Sequence, residues 1–373
     1  MADLVALDLG GGPAFVDALL RVWDRGDAAL PVDPRLPPIA RDALLAAMAP
    51  AAVIGPDGSE RPCAGGDPVA TGDALVVTTS GTTGTPKGVV LTHAAVLAHA
   101  HAVHERLDAD PGRDRWLACL PLAHVGGLGV VTRALVTGTG LDVVAGFDAG
   151  FAATAPDELG STLVSLVPTA LDRIDPNPWR AILLGGSDDT QPRPGNVVHT
   201  YGLTETGGGV VYDPGGPLPG TDVRILDGEV QLRGPTLLRC YRDGTDPLDP
   251  DGWLPTGDIG SFGPDGVLVV HGRTDDLIIT GGENVWPTIV ESAIRRHPKV
   301  LDVAVAGRAD DAWGQRVVAF VVPVSPQDPP SLSGIRDLVR ERLPAFTAPR
   351  ELVLVTSLPR TNLGKVRRDL LAP

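Results

Sequence analysis

The stretch TTSGTTGTPKG, residues 78–88, gathers hydroxyls and glycines around one lysine, Lys87. Those are the ingredients of a phosphate cradle: small residues let backbone N–H groups approach an anion, hydroxyls donate to its oxygens, and an ammonium balances its charge. A Walker A loop, G-x-x-x-x-G-K-[ST], is the obvious template, and the letters do not fit it. Pro86 stands where glycine should precede the lysine, and Gly88 stands where a hydroxyl should follow. A kinase or P-loop NTPase is therefore disfavoured. An ordinary Gly/Thr turn is the competing reading.

Other stretches add groups of the same kind. HTYGLTETGGG (199–209) offers the Tyr201 face for a purine, the Thr204 hydroxyl for a phosphate and the Glu205 carboxylate for Mg²⁺. LPTGD (254–258) sets Asp258 on a tight turn, where it could accept from ribose hydroxyls. GRTDDLIITGGENV (272–285) holds Arg273, Asp275 and the pair Gly281–Gly282, followed by Glu283. LPRTNLGKVRR (358–368) brings in Lys365, and CLPLAHVGGLG (119–129) brings in His124. Each alone is weak: a lone terminal lysine is usually solvated, and a histidine among apolar residues is usually core.

The elements that must position these groups are legible in outline. Apolar periodicity predicts helices over PAFVDALLRVWDRG and IARDALLAAMAP. DALVVTTSG reads as a strand entering the loop, and 92–107 as a helix with Thr92 as its N-cap. That makes the loop a strand-loop-helix connection, where the helix dipole favours an anion. Strands and helices then alternate to about residue 205, the rhythm of helix-covered parallel sheets. Near 210 short strands with Asp-Gly turns suggest a small antiparallel barrel or sheet. After GRTDD the pattern is a compact α+β unit. The expected fold is α/β: a large N-terminal domain, 1–272, with helix-covered sheets and a β-barrel-like subdomain, then a small mobile α+β lid, 273–373, hinged at 273–276.

Composition narrows the partners. With 373 residues, 43% hydrophobic and 21% charged, the chain is globular and long enough for two or three domains. A net charge of −15 argues against nucleic acid and anionic membranes. Cys63, Cys119 and Cys240 are scattered and odd in number, which fits buried thiols in a reducing cytoplasm. No apolar run reaches transmembrane length and no basic leader is visible, so membrane insertion is not expected. Arginine outnumbers lysine 28 to 3, so Lys87 and Lys365 stand out as places where a compact ammonium is required; chance is the competing reading.

Taken together, TSGTTGTPKG, YGLTET, TGD, GRTDDLIITGGENV and RTNLGK resemble, in order and at sensible distances, the signatures of the acyl-adenylate-forming enzymes. That family includes acyl-CoA synthetases, adenylation domains and luciferases, and the resemblance spans roughly residues 70–370. LPLAHVGGLG, STLVSLVPTALDRI and ILLGGS resemble the subgroup that activates o-succinylbenzoate in menaquinone biosynthesis. The resemblance implies a carboxylate attacking the α-phosphorus of Mg-ATP, then displacement of AMP by coenzyme A. It implies that Thr79, Ser80, Gly81, Thr82, Thr83, Gly84 and Lys87 hold phosphates, and that Gly185, Gly186, Ser187 and Tyr201 surround adenine. Thr204 would touch the α-phosphate, Glu205 would bind Mg²⁺, and Asp258 and Arg273 would hold ribose. Lys365 would be catalytic, Asp275 the hinge, and Gly281, Gly282 and Glu283 the coenzyme A loop. Candidates for the acid pocket are His124, also a catalytic candidate, with Ser165, Thr169, Thr206, Gly207 and Gly208. No arginine or lysine stands out as the partner of a second carboxylate on the acid. In the family the phosphate loop lies more than a hundred residues into the chain, so a trimmed N-terminal lobe is expected, with its sheet content and any homodimer surface left open. Alternatives are another aryl- or acyl-CoA ligase, an adenylation enzyme serving a carrier protein, or a nucleotide-binding pseudoenzyme.

Overall fold

A computed structural model describes residues 1–79, 86–186, 192–360 and 366–371. Ser80 to Gly84, Ser187 and Lys365 thus lie outside the described residues. The chain divides into two compact units. The first comprises Met1–Gly186, Gln191–Val223 and Leu232–Leu254; the second comprises Ser187–Thr190, Arg224–Gln231 and Pro255–Pro373.

The first unit begins with β1 (Leu4–Leu7), α1 (Pro13–Asp24), β2 (Ala28–Pro31), α2 (Pro38–Met48), β3 (Ala52–Ile54) and β4 (Glu60–Pro62). The hairpin β5 (Asp73–Thr79) and β6 (Lys87–Thr92) follows. These six strands form one seven-stranded sheet, whose seventh member is the short strand Cys240–Tyr241 on the free edge of β6. β1, β2, β3 and β5 run parallel. The N-terminal segment, where the sequence shows helical patterns only, therefore supplies four of the seven strands of this sheet. Three of them are fully buried three- and four-residue runs, LVAL, AALP and AVI, and the edge strand β4 is exposed.

The phosphate stretch is also reassigned. Val89, Val90 and Leu91 are buried in β6, which pairs antiparallel with β5 so that Thr79 faces Lys87 and Thr78 faces Gly88. Consecutive buried β-branched residues favour a strand. The stretch is therefore flanked by two paired strands, not by a strand and a helix. α3 (His93–Leu107) starts only after β6, with the Thr92 hydroxyl accepting from the Ala95 N–H at 3.1 Å. Gly88 has a packing reason: a side chain there would meet Met48 Sδ at 2.6 Å, Arg242 Cβ at 2.8 Å and Val76 Cγ1 at 2.9 Å. The hydroxyl a Walker loop needs has no room.

The second sheet uses β7 (Arg115–Ala118), β8 (Gly140–Val143), β9 (Leu163–Leu166), β10 (Ala181–Leu184), β11 (Val197–Leu203), β12 (Gly208–Asp213) and β13 (Gly216–Pro217). Its order is β13-β12-β11-β10-β9-β7-β8, parallel from β11 to β8. Between these strands come α4 (Val125–Thr137), α5 (Ala149–Leu159) and the short α6 (Pro168–Leu171). The alternation seen in the sequence is this sheet.

Most of a four-stranded sheet falls in the second unit: β14 (Asp222–Leu226), β15 (Glu229–Arg233), β17 (Leu254–Phe262) and β18 (Leu268–Arg273), while β16 (Cys240–Tyr241) belongs to the first sheet. Asp227 (φ 50°) and Gly228 (φ 84°) make the tight turn between β14 and β15. The last sheet has β19 (Ile278–Thr280), β20 (Glu283–Val285), β21 (Val300–Asp310), β22 (Gly314–Pro323) and β23 (Glu351–Leu354), with α7 (Pro287–Ile294) and α8 (Leu332–Arg340). Its core packs Val290, Ile294, Val303, Val305, Val317, Val321, Ile335 and Val339.

Candidate active site

In the first unit three elements converge. β6 carries Lys87, a 3-10 turn at Thr204–Thr206 carries Glu205, and β16 carries Tyr241. The Tyr241 hydroxyl donates to Glu205 Oε1 at 2.9 Å, and the exposed Lys87 ammonium stands 5.2 Å from the centre of the Tyr241 ring. The predicted cation and the predicted metal carboxylate are thus bracketed by one aromatic residue that sequence reasoning missed. No motif marks it; only the pairing of β16 with β6 brings it there.

The turn holding Glu205 is built from its own neighbours. The Thr206 hydroxyl accepts from the Leu203 N–H at 2.9 Å and donates to the Gly208 carbonyl at 2.6 Å. Thr206 is fully buried and its hydroxyl is engaged, so it shapes the turn instead of lining a pocket. Gly202 must be glycine because a side chain would meet the Gly208 carbonyl at 2.0 Å. Tyr201 and Thr204 are half-buried at the end of β11 and the start of the turn. Gly185 and Gly186 follow β10, and Gly186 has φ 93°. A Cβ on Gly185 would meet Thr200 Oγ1 at 3.0 Å, so bare backbone faces this end of the sheet.

A narrow cleft lies between α3 and α4, lined by His99, Leu128, Gly129, Thr132 and Gly207 among others. At its side sits Arg133, which is 4% exposed. Its guanidinium donates to the Ser165 hydroxyl at 3.1 Å and stacks 4.7 Å from the centre of Trp116. No carboxylate pairs with it among the described residues, and its Nε has no partner. Burial pushes its pKa down to about 10. A side chain at Gly129 would meet Arg133 Nη1 at 3.2 Å and the Gly207 carbonyl at 3.7 Å, so the glycine leaves space beside the cation. His99 is held neutral, its pKa lowered to about 3 by burial and by Arg133, with its Nε2 3.0 Å from the Gly209 carbonyl. Nothing in the sequence marks Arg133, because an arginine inside an apolar helix looks like any other among 28.

Of the remaining pocket candidates, Ser165 is buried on Arg133, Gly207 lines the cleft, and Gly208 backs onto His99. Thr169 is exposed on α6. His124 precedes α4 with its Nε2 buried and unpartnered; burial lowers its pKa, opposed by nearby Asp33 and reinforced by Arg35.

In the second unit Arg273 Nη1 donates to Asp258 Oδ1 at 3.2 Å across β17 and β18, which places the predicted ribose pair side by side. Gly257, with φ 71°, leaves room for that guanidinium. Asp275 is exposed in the 3-10 turn Thr274–Asp276. Gly281 (φ 61°) and Gly282 (φ 84°) form the exposed turn of the β19–β20 hairpin, and a side chain on Gly281 would strike the Trp313 ring at 2.6 Å. Beyond the segment containing Lys365, Arg368 donates to Glu291 Oε1 at 2.7 Å and Asp276 Oδ2 at 3.1 Å.

The AMP-binding enzyme family matches residues 56–242, and its C-terminal domain matches residues 289–365. The chain belongs to the AMP-binding enzyme family. A probable 2-succinylbenzoate–CoA ligase of Mycobacterium tuberculosis is 43% identical to this AMP-binding enzyme, over 80% of the chain and 83% of the relative. The 2-succinylbenzoate–CoA ligase of Bacillus cytotoxicus is 33% identical over 79% of the chain and 69% of its own length. Among solved structures, o-succinylbenzoate CoA synthetase from Bacillus subtilis with its acyl-adenylate intermediate superposes with a TM-score of 0.87 at 27% identity, covering 100% of the chain and 88% of that structure. The same Bacillus subtilis protein with ATP and magnesium gives 0.86 at 27%, covering 99% and 89%.

The residues of this AMP-binding enzyme fit ATP and Mg²⁺. No cluster of three or more metal-ligating side chains exists among the described residues, and Glu205 has one oxygen engaged by Tyr241. A single carboxylate with the rest of the coordination left to phosphates and water is the pattern Mg²⁺ takes with nucleotides.

Proposed function

We propose that this enzyme joins 2-succinylbenzoate to coenzyme A, using ATP and releasing AMP and pyrophosphate. The observation that carries the substrate is Arg133. A buried guanidinium without a carboxylate is costly unless something supplies one. An aromatic acid with two carboxylates supplies it: one is activated while the other pairs with Arg133 beside Ser165, Gly129 and Gly207. The enzyme is read as cytoplasmic and as a homodimer; light scattering that shows only monomer at assay concentration removes the second of these.

In the first half-reaction a carboxylate oxygen bonds to the α-phosphorus and the bond to the β-phosphate oxygen breaks, so pyrophosphate leaves. Lys87 and the 79–84 stretch hold the departing phosphates, and Thr204 donates to the α-phosphate. Mg²⁺, when bound with Glu205, neutralises phosphate charge. Asp258 accepts from the ribose, with Arg273 fixing its carboxylate. Lys365 brings a cation to the carboxylate and α-phosphate oxygens, where charge develops. In the second half-reaction the thiolate of coenzyme A bonds to the acyl carbon and AMP leaves. Rotation at Asp275 exchanges Lys365 for the Gly281–Glu283 turn, the step expected of a mobile lid.

The test is acid-dependent pyrophosphate release across a panel of 2-succinylbenzoate, benzoate and a fatty acid, followed by thioester formation with coenzyme A or a carrier protein. Preference for 2-succinylbenzoate and coenzyme A is expected. Equal rates with benzoate would overturn the substrate, and no turnover with any acid would revive the pseudoenzyme.

A further inference from the structure

Tyr241 has a role that the motifs do not assign. Its backbone is fixed from several directions. The Arg239 guanidinium clamps buried Asp73 with two hydrogen bonds of 2.8 Å, and the Arg242 N–H donates to the Gly88 carbonyl at 2.7 Å. Arg242 also reaches the carbonyl oxygens of Met48 and Pro68 at 3.1 Å each. On the other side, the Leu238 N–H donates to the Glu205 backbone carbonyl at 2.7 Å. β16 is therefore tied both to the phosphate hairpin and to the turn that carries Glu205. The Tyr241 ring has one place to be, with the Lys87 ammonium at its face and the Glu205 carboxylate at its hydroxyl.

A hydroxyl donated to one carboxylate oxygen fixes the rotation of that carboxylate and leaves the second oxygen for a cation. Outer partners of this kind commonly account for a tenfold or larger part of metal affinity. We propose that Tyr241 is a positioning residue for the metal–phosphate part of the site, its hydroxyl orienting Glu205 toward Mg²⁺ while its ring keeps Lys87 beside the same ligand. This rests on Glu205 as the metal carboxylate in the reading above.

The variant is Tyr241→Phe, which keeps the ring and removes only the hydroxyl. ATP is titrated calorimetrically into the full chain, without any acid, at a series of free Mg²⁺ concentrations. The half-saturating Mg²⁺ concentration should rise about tenfold, with ATP affinity in the absence of metal unchanged. In a Glu205→Gln background the same substitution should have no further effect on the metal dependence, because the carboxylate it orients is gone. A wild-type metal dependence in Tyr241→Phe overturns the proposal. So does a parallel loss of metal-free affinity, which marks a merely structural role, or an undiminished effect in the Glu205→Gln background. If the wild type itself binds ATP without regard to Mg²⁺, the proposal falls together with the Glu205 assignment, while the acid panel, which depends on Arg133, is untouched.

Discussion

Arg133 and Arg180 are two buried or half-buried arginines of the same unit, in opposite circumstances. Arg180 grips Asp114 with two hydrogen bonds, 2.7 and 2.9 Å, and donates to the Leu107 carbonyl. Asp114 is 3% exposed; burial pushes its pKa up, but the Asp110 N–H, Arg180 and the Thr162 hydroxyl outweigh that and hold it below the usual carboxylate range. Among the described residues the Arg133 guanidinium has a hydroxyl and an indole face and no carboxylate. A buried charge that is fully paired belongs to the architecture, whereas one left for an incoming group belongs to the chemistry.

That contrast can be broken by mutation, and the largest effect should come from the chemistry. Lys365→Ala is expected to abolish adenylate formation yet largely spare thioester formation from supplied acyl-adenylate; equal loss of both half-reactions would remove Lys365 from the first step. Arg133→Gln should raise the KM for 2-succinylbenzoate about a hundredfold, the 2–3 kcal/mol of a charge-assisted hydrogen bond. Turnover of a monocarboxylic aryl acid, where detectable, should stay flat or improve. A loss that is equal for both acids would make Arg133 structural, like Arg180.

Asp114→Ala should act oppositely, lowering stability by about 3 kcal/mol with little change in KM; denaturant unfolding measures it. Gly88→Ala should destabilise by about 1–3 kcal/mol through overpacking, because Met48, Val76 and the Arg242 stem must all shift. The last effect is on pH and develops only in acid. His99 and His104 have native pKa values lowered to about 3 and about 4, in both cases chiefly by burial. The unfolded chain binds their protons near pH 6.5, so the stability they contribute is complete above that pH. It should decline as pH falls from 6.5 toward 4 and then 3. His99→Gln should flatten part of that slope in urea titrations between those limits.

Much of this was legible in the sequence, for reasons that local physics supplies. The alternation from 115 to 203 gave the second sheet, because parallel strands buried on both faces read as continuous apolar runs. The Asp-Gly turn, the Thr92 cap and the α+β pattern of the last hundred residues were equally local. β1, β2 and β3 were not, since three or four residues rich in alanine carry little β preference and acquire their strand character from partners far along the chain. The sequence around the loop reads as leading into a helix because β6 adjoins α3 without a break. Lys87 and Glu205 stand out in the sequence by type and context, and the fold brings both to Tyr241. Arg133 and Tyr241 do not stand out, because each is defined by what surrounds it in space: the lack of a carboxylate for one, and two flanking ionic groups for the other.

The solitary guanidinium has a consequence for the life of the protein in a cell. A molecule waiting with an uncompensated interior charge is less durable than the same molecule with its acid in place. Proteases and chaperones sample the transiently opened form, so substrate supply would set how much of the enzyme survives as well as how fast it works.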